Sequence, residues 1–546
     1  MNYFLTYTVY VLILSVLMGI STWKLFKKLG YSPLFAFIPF YNYFIILKET
    51  KHPKWWAILS YLPIVGPIMM SVFHIYLMKK FGKSLFQHQL LTVILPFIYM
   101  ATVNYSKDVE IEDENELFLT EEEKNAKKKD TFLGSITFAV VFATIIHVFV
   151  TQPFGIPTGS MERTLLVGDF LFVNKWSYGY RMPMRPVAIP FLQGTIMDTG
   201  QPNNPKDDPK SYVDAVKLPY TRILQFSKPQ KNDVVVFNYP QDSVHTAIDR
   251  KDPYVKRCVA TAGDTFEMRA GRLFVNGKPE TILGDQEVQH GYLVTTGSQL
   301  DIPALYNTYG FLPVQEQQTQ TGFVYGFQGL TDKTAKEIKE LPQVIDMKEN
   351  VMPKGEASIA YKNEERTKID TTQSIFPVNK PWNQDWYGPV RIPKKGDVVT
   401  INKETLPMYR WIISEYEHNS VSVNGDQILI NGKPEASYTI KQDYYMMVGD
   451  NRDASLDARF FGFVPEENIV GKPMFTWMSV QGAFKDSGSS YQAPFKIRWE
   501  RMFKATNTGE ANKTSYWWIA AMILILFFGW EYFMKLFKKK KTEDEL

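Results

Sequence analysis

The chain has one cysteine, Cys258, in 546 residues. It cannot form an intramolecular disulfide, and a multi-cysteine metal site is excluded. A lone cysteine says nothing of redox compartment, because exported domains also occur without disulfides. Surplus charge is equally scarce. The net value of +4 is spread over many segments and argues for no nucleic-acid partner. Histidine is rare too, with seven in the whole chain. His52, His74 and His88 lie in or beside apolar N-terminal stretches, and His147 lies inside another. His245, His290 and His418 sit in polar loops without a Ser-Gly motif nearby.

Aromatics and uncharged runs are abundant instead. Aromatics make up 15% of the chain, which fits membrane segments with interfacial Trp and Tyr. An uncharged run of about 20 residues crosses a bilayer core. Tyr3–Trp23 and Thr131–Val150 qualify, and Tyr516–Phe537 qualifies with Trp517 and Trp518 at one end. Trp55–Met78 nearly does, bent by Pro63, Gly66 and Pro67, and Leu90–Val103 is shorter. Phe35–Leu47 reads as a re-entrant or interfacial helix. Tyr3–Trp23 lacks a basic leader and a small-x-small site, so it reads as an anchor, not a cleaved signal. Lysines set the orientation. Lys124, Lys127–Lys129 and Lys538–Lys541 place their segments in the cytoplasm and everything between the last two spans outside. Lys79, Lys80 and Lys83 fall on the outer side in this topology and conflict with it.

The expected layout is a helical membrane module over 1–105, a charged cytoplasmic linker over 106–130 and a span over 131–150. An exported β-rich domain follows over 151–513, with an insertion at about 281–395. A C-terminal span over 514–537 and a basic tail over 538–546 complete it. The outer region carries short β-branched runs such as Asp233–Phe237, Arg272–Val275, Asp397–Ile401 and Gln427–Ile430. Asn-Gly-Lys-Pro-Glu occurs twice, at 276–280 and 431–435, and Asn-Gly predicts a type I′ hairpin at each. Thr331–Leu341 predicts one short helix. Residues 301–328 and 350–390 are rich in Gln, Thr, Asn and Pro and read as long loops.

Chemistry concentrates at Ile156-Pro157-Thr158-Gly159-Ser160-Met161, six residues beyond the Thr131–Val150 span. A serine hydroxyl is a weak nucleophile until a base takes its proton. A Ser-His-Asp arrangement stays open. Lysine is the alternative: Lys256 lies in Pro253-Tyr-Val-Lys-Arg-Cys-Val-Ala260, among small and apolar neighbours. Burial of that strand would lower the amine's pKa and free it to act as a base. A Lys-Arg pair in a strand is also a common exposed pair. Gly449–Arg459 holds three Asp, two Arg, one Asn and one Ser between apolar runs. It is a surface loop or a buried network, in which Asp457 could pair with Arg459 and Ser455 could orient a lysine amine.

These segments together resemble the bacterial type I signal peptidases, a serine–lysine peptidase family. The match is carried by Ile156–Met161 with Thr164-Leu165, Asn232–Phe237, Tyr254–Arg257 through Gly263-Asp264, Gly449–Arg459, Gly462–Pro465 and Val470-Gly471. The order is the family's, and the layout is similar to Bacteroidota members. The resemblance implies a mainly β catalytic domain of signal-peptidase/LexA-like fold joined to transmembrane α-helices. It implies Ser160 as nucleophile and Lys256 as general base. Ser455 would hold the amine, and Thr158 with the Ser160 N–H would form the oxyanion hole. Asp457, Arg459 and Asp450 would support the site. Phe154, Ile156, Pro157, Met161, Leu165, Tyr254 and Val255 would line the substrate subsites for small P1 and P3 side chains, with Met161 also toward lipid. The substrates implied are signal peptides of exported preproteins, cut after Ala-x-Ala, beside membrane lipid and in association with the secretion translocon. No metal and no cofactor are implied. The expected location is the bacterial inner membrane, multi-pass, with the catalytic domain on the outer side. Two departures are Ala458, where serine is common, and Ala262, where proline is common. The 1–105 module lies outside the resemblance. The alternatives are a catalytically inactive membrane assembly or scaffold protein, and a soluble self-cleaving repressor-type protease, against which the spans count.

Overall fold

The computed structural model describes residues 2–107, 109–111, 121–197, 208–242, 244, 245, 247–283, 286–363, 366–484 and 494–506, with 516–518, 521, 522 and 525. Much of the acidic run at 110–123, most of Tyr516–Phe537 and the whole tail 538–546 lie outside the described residues. The chain divides into two compact units.

The first unit takes Met1–Thr151, Gly179–Leu224 and Ser243–Asp252. It opens on helix Tyr3–Lys28, capped by Asn2 at its start and carrying Lys27 and Lys28 in its last turn. Among the described residues, this helix is the one long and apolar enough to cross a membrane. Phe4, Leu5, Leu12, Ile13 and Val16 stand exposed along it, as on a helix whose solvent is hydrocarbon. Trp55–Met78 is interrupted, as Pro63 leads one to expect. It breaks into a 3-10 helix, Lys54–Tyr61, and an α-helix, Val65–Lys80. Pro63 lies at the break, where it disfavours a helical residue before it and supplies no N–H. Leu90–Val103 breaks likewise at Leu95-Pro96, between helices Phe86–Ile94 and Pro96–Tyr105. Phe35–Leu47 is shared between a 3-10 helix, Pro33–Phe37, and helix Tyr41–Glu49. Helix Glu121–Phe149 contains most of the expected Thr131–Val150 span, and its apolar described part is Ile136–Phe149. The stretch 179–224 packs into this unit: Tyr3 Oη donates to the Pro183 carbonyl at 3.0 Å, and the Ile64 N–H to the Pro186 carbonyl at 2.7 Å.

The second unit, Gln152–Tyr178, Gln225–Asp242 and Pro253–Leu546, is built on an eight-stranded sheet. Its order runs Thr151–Gly155, Asp169–Asn174, Ile469–Gln481, Val234–Asn238, Pro253–Ala260, Tyr444–Val448, Val464–Pro465, with Lys496–Ile497 added beside Ile469–Gln481. Val234–Asn238 and Tyr444–Val448 are buried at every position, which is why they read as apolar runs and not as alternation. Between them Pro253–Ala260 pairs antiparallel with both. The two Asn-Gly hairpins form as expected and sit in separate small sheets. Asn276 and Gly277, and Asn431 and Gly432, all have positive φ, as type I′ requires.

Helix Asp332–Lys339 forms where one was expected, capped by the Thr331 hydroxyl. The loop expected at 301–328 is instead ordered structure. Helix Ile302–Tyr309 is capped by Asp301 and ended by left-handed Gly310. Strands Gln315–Thr319 and Gly322–Thr331 join Gln289–Thr296 and Val344–Glu349 in a four-stranded sheet. Gln315–Thr319 is exposed at every residue. An edge strand held by its backbone ladder needs no apolar face, so its Gln-rich sequence hid it. Gly322 turns the chain at φ +150°, and a Cβ there would fall 2.0 Å from the Thr296 carbonyl oxygen. Gly322→Ala is expected to destabilise this sheet by about 1–3 kcal/mol. Amide hydrogen exchange should quicken across Gln289–Thr296 and stay unchanged across Tyr444–Val448.

Candidate active site

Ser160 lies on a single 3-10 turn, Gly159–Met161, between the first two strands of the main sheet. Lys256 lies in the middle of Pro253–Ala260, its Cα paired with Val235. Ser160 is 8% exposed and Lys256 4%. The Lys256 Nζ donates to Ser160 Oγ at 2.6 Å and to the Val255 carbonyl at 3.2 Å. Burial pulls the Lys256 amine down from the ordinary lysine value to about 8, against the opposing pull of Asp457 and Asp450, and Arg459 assists the lowering.

The polar box 449–459 is the buried network of the two readings. Val448 pairs with Arg257, so the register carries Gly449 across from Lys256. A Cβ on Gly449 would lie 2.2 Å from Ser455 Oγ and 2.4 Å from the Ser160 carbonyl oxygen. Only glycine lets the box approach both. Asn451 then fixes the serine turn. Its N–H donates to the Ser160 carbonyl and its side-chain amide to the Gly159 carbonyl, each at 3.2 Å.

Two of the three carboxylates of the box, Asp450 and Asp457, are forked to an arginine, and the third, Asp453, accepts the Gly291 N–H at 2.6 Å. Arg459 Nε and Nη2 donate to Asp457 at 2.9 and 2.8 Å, both residues being fully buried. Asp457 also accepts from the Gly449 N–H at 3.1 Å. Arg257 donates through Nε and Nη2 to Asp450, which accepts the Thr164 hydroxyl at 2.6 Å as well. Arg452 reaches both oxygens of Glu280 at 2.8 and 2.7 Å and the Gly449 carbonyl through Nε. Burial alone would raise the Asp457 and Asp450 carboxyls. Arg459 and Arg257 outweigh it and hold both below the usual carboxylate range.

The sequence-based candidates divide in their placement. Thr158 precedes the serine turn in extended conformation, and its side chain makes no capping bond. Phe154, Ile156, Pro157, Thr158, Met161, Tyr254 and Val255 line one cleft of about 770 Å³ with Ser160, Lys256 and Ser455. Leu165 is fully buried behind it, clustered with Ile156 and Met161. Met161 is 1% exposed in that cluster, so it packs inward and not toward lipid. Asp450, Asp457 and Arg459 stand behind the cleft without lining it. Ser455 is buried, and its Oγ has no hydrogen-bond partner among the described residues. The hydrogen bonds of the Lys256 amine run to Ser160 and Val255 instead of to Ser455.

Arg257, Thr164, Gly449, Asn451 and Arg452 lie inside the motifs but drew no role from sequence. Their positions were visible; their partners, up to 292 residues away, were not. Glu280 carried no signal beyond closing a repeated hairpin. Removing one member of a buried ion pair costs about 3–5 kcal/mol, whereas replacing both by apolar residues costs far less. Asp457→Leu is therefore expected to lower the unfolding free energy by about 3–5 kcal/mol. Asp457→Leu with Arg459→Met should lose less than the single variant in the same denaturation measurement.

Comparison with known proteins bears on this arrangement. Residues 34–112 match a family of unknown function, DUF5684. The chain is similar to signal peptidase I of Haemophilus influenzae, 26% identical over 470 residues that cover 85% of this chain and 98% of the relative. It is similar to signal peptidase I of Helicobacter pylori, at 24% identity over 68% of this chain and 92% of the relative. Over 28% of the chain and 41% of the relative it is 31% identical to signal peptidase I of Pseudomonas aeruginosa. The family described as signal peptidase, peptidase S26, matches residues 129–356 and 387–478, which is more than half of the chain and includes Ser160, Lys256 and the whole polar box. The break at 357–386 is narrower than the insertion expected at about 281–395. The chain belongs to the signal peptidase family, peptidase S26, and is a hydrolase of that family.

Proposed function

We propose that the chain is a membrane-bound serine endopeptidase that cuts signal peptides from exported preproteins after small residues, with Ser160 as nucleophile and Lys256 as general base. The observation that carries this reading is the 2.6 Å contact between the Lys256 amine and the Ser160 hydroxyl, both buried. In the neutral form Nζ accepts the Oγ proton. Oγ then bonds to the scissile carbonyl carbon, and the resulting oxyanion is met by the Ser160 N–H and the Thr158 hydroxyl. Loss of one such donor costs about 10²–10³ in turnover. The carbon–nitrogen bond breaks as the Lys256 ammonium returns its proton to the leaving amine, which frees the mature chain. Water attacks the acyl-Ser160 ester, Lys256 takes a proton from it, and Ser160 is restored. Ile156, Tyr254 and Val255 are suited to take small P1 and P3 side chains.

Helix Tyr3–Lys28 and the apolar part of Glu121–Phe149 support anchorage in the inner membrane. The lysines before Thr131 favour a multi-pass topology with the second unit outside the cytoplasm. There the translocon would deliver its substrates.

Ser160→Ala and Lys256→Ala are expected to lower cleavage of an Ala-x-Ala precursor in membranes by at least roughly 10³-fold each. Wild-type cleavage by both variants would sink the dyad. The base works only when neutral, so kcat/KM should climb about tenfold per pH unit below pH 8 and level off above it. A rate that falls through that range would mean the ammonium form is the active one.

A further inference from the structure

The cleft that holds Ser160 has a second set of lining residues that no motif announced. Tyr306, Phe311, Leu312, Val314, Gln328 and Gln289 all come from the segment 286–349. That segment has its own core around Val294, Leu305, Tyr325, Phe327 and Ile338. It is fastened to the serine turn by a residue three positions after Ser160. Arg163, in left-handed conformation at φ +69°, donates to the Tyr309 carbonyl and stacks its guanidinium 4.0 Å over the Phe311 ring. On the other flank the Gln289 N–H donates to the Asp450 carbonyl, and Arg452 donates back to the Gln289 carbonyl. The segment is thus bonded to the chain on both sides of the candidate dyad.

Gln289 is the second observation that points to a ligand. It is 0% exposed, and both its side-chain nitrogen and oxygen are without a hydrogen-bond partner among the described residues. A buried amide left unpaired is costly and rare in a folded protein. This one stands on the wall of a cleft, beside Asn451, which holds the serine turn.

We propose that segment 286–349 forms a second specificity wall, which recognises the P2 residue of the precursor. Gln289 bonds the peptide backbone there, and Phe311, Leu312 and Val314 pack on the P2 side chain. The proposal rests on the Ser160 reading above. Successive side chains of an extended peptide point to opposite faces. When P1 and P3 turn toward Ile156, Tyr254 and Val255, the P2 side chain is left to the remaining wall. That wall is aromatic, aliphatic and amide-bearing, with no charged group among the six, so it suits an uncharged P2 residue.

The test uses the full-length protein in membranes with a precursor series that differs only at P2: glycine, leucine, phenylalanine and aspartate. Phe311→Ala is expected to raise KM for the leucine and phenylalanine precursors roughly tenfold, with little change for glycine and little change in kcat. Leu312→Ala and Gln328→Ala, at less buried positions, take its place if it does not fold. Gln289→Leu keeps the side-chain size and removes the bonding atoms. It should raise KM for every precursor without lowering the melting temperature. Equal KM shifts across the P2 series in the Phe311 or Leu312 variants would overturn the wall. So would a Gln289→Leu enzyme of unchanged KM. Ser160→Ala runs alongside: if it still cleaves, the reading of the site has failed first, and if it is dead while the wall variants behave as wild type, the wall alone has failed.

Discussion

The second unit depends on burying a lysine amine that has no carboxylate of its own. Asp457 and Asp450 are the anions that act on Lys256, and both favour its charged form against the larger effect of burial. Each is forked to an arginine, Asp457 to Arg459 and Asp450 to Arg257. Arg452 and Glu280 make a third closed pair beside them. Charges are thus cancelled locally, and burial remains the largest influence on the amine. Buried ion pairs rarely stabilise a fold relative to apolar packing. Their place here is easier to understand as the means of setting the field at one nitrogen.

Positioning of the serine follows from the same segment. Gly449 gives up a side chain so that Ser455 and the Ser160 carbonyl can close on it, and Asn451 ties down two successive carbonyls of the serine turn. One eleven-residue stretch therefore sets both the charge around the Lys256 amine and the place of the Ser160 hydroxyl. This explains why so polar a stretch sits between the buried strand Tyr444–Val448 and buried Phe461 and Phe463. The side chains of Arg452, Arg459, Asp450 and Asp457 meet their hydrogen bonds inside the protein. Asn451 Oδ1 and Ser455 Oγ are without a partner among the described residues, and an unmet bond costs about 1–3 kcal/mol.

Much of this was legible in the sequence, and the failures have physical causes. The uniformly apolar strands, the two Asn-Gly turns and the capped helix at 332–339 were readable because each is a local signal. The burial of Lys256 was readable because its neighbours are small and apolar. The strand Gln315–Thr319 was not, since its stability lies in backbone pairing that leaves no pattern in the side chains. The break in Trp55–Met78 was readable as well, because Pro63 stops a helix regardless of hydropathy. Partners of Arg257 and Arg452 were invisible because a sequence shows which residues are charged, not which strands will bring them together.

The connectivity changes how the N-terminal module should be regarded. It looks in sequence like an addition that could be removed at residue 105. Yet the stretches 179–224 and 243–252, which lie between Ser160 and Lys256 along the chain, belong to the same compact unit as residues 1–151. Removing the module strips the Pro183 and Pro186 carbonyls of Tyr3 and Ile64, their hydrogen-bond partners. The chain leaves one unit and returns to it more than once, and Pro253, the first residue of the lysine strand, directly follows one such return. Loss of cleavage after such a deletion would therefore report on disrupted folding around both ends of these stretches, and not on a regulatory duty of the module. Point substitutions on the exposed apolar face of Tyr3–Lys28, which leave those bonds intact, separate the two causes where truncation cannot.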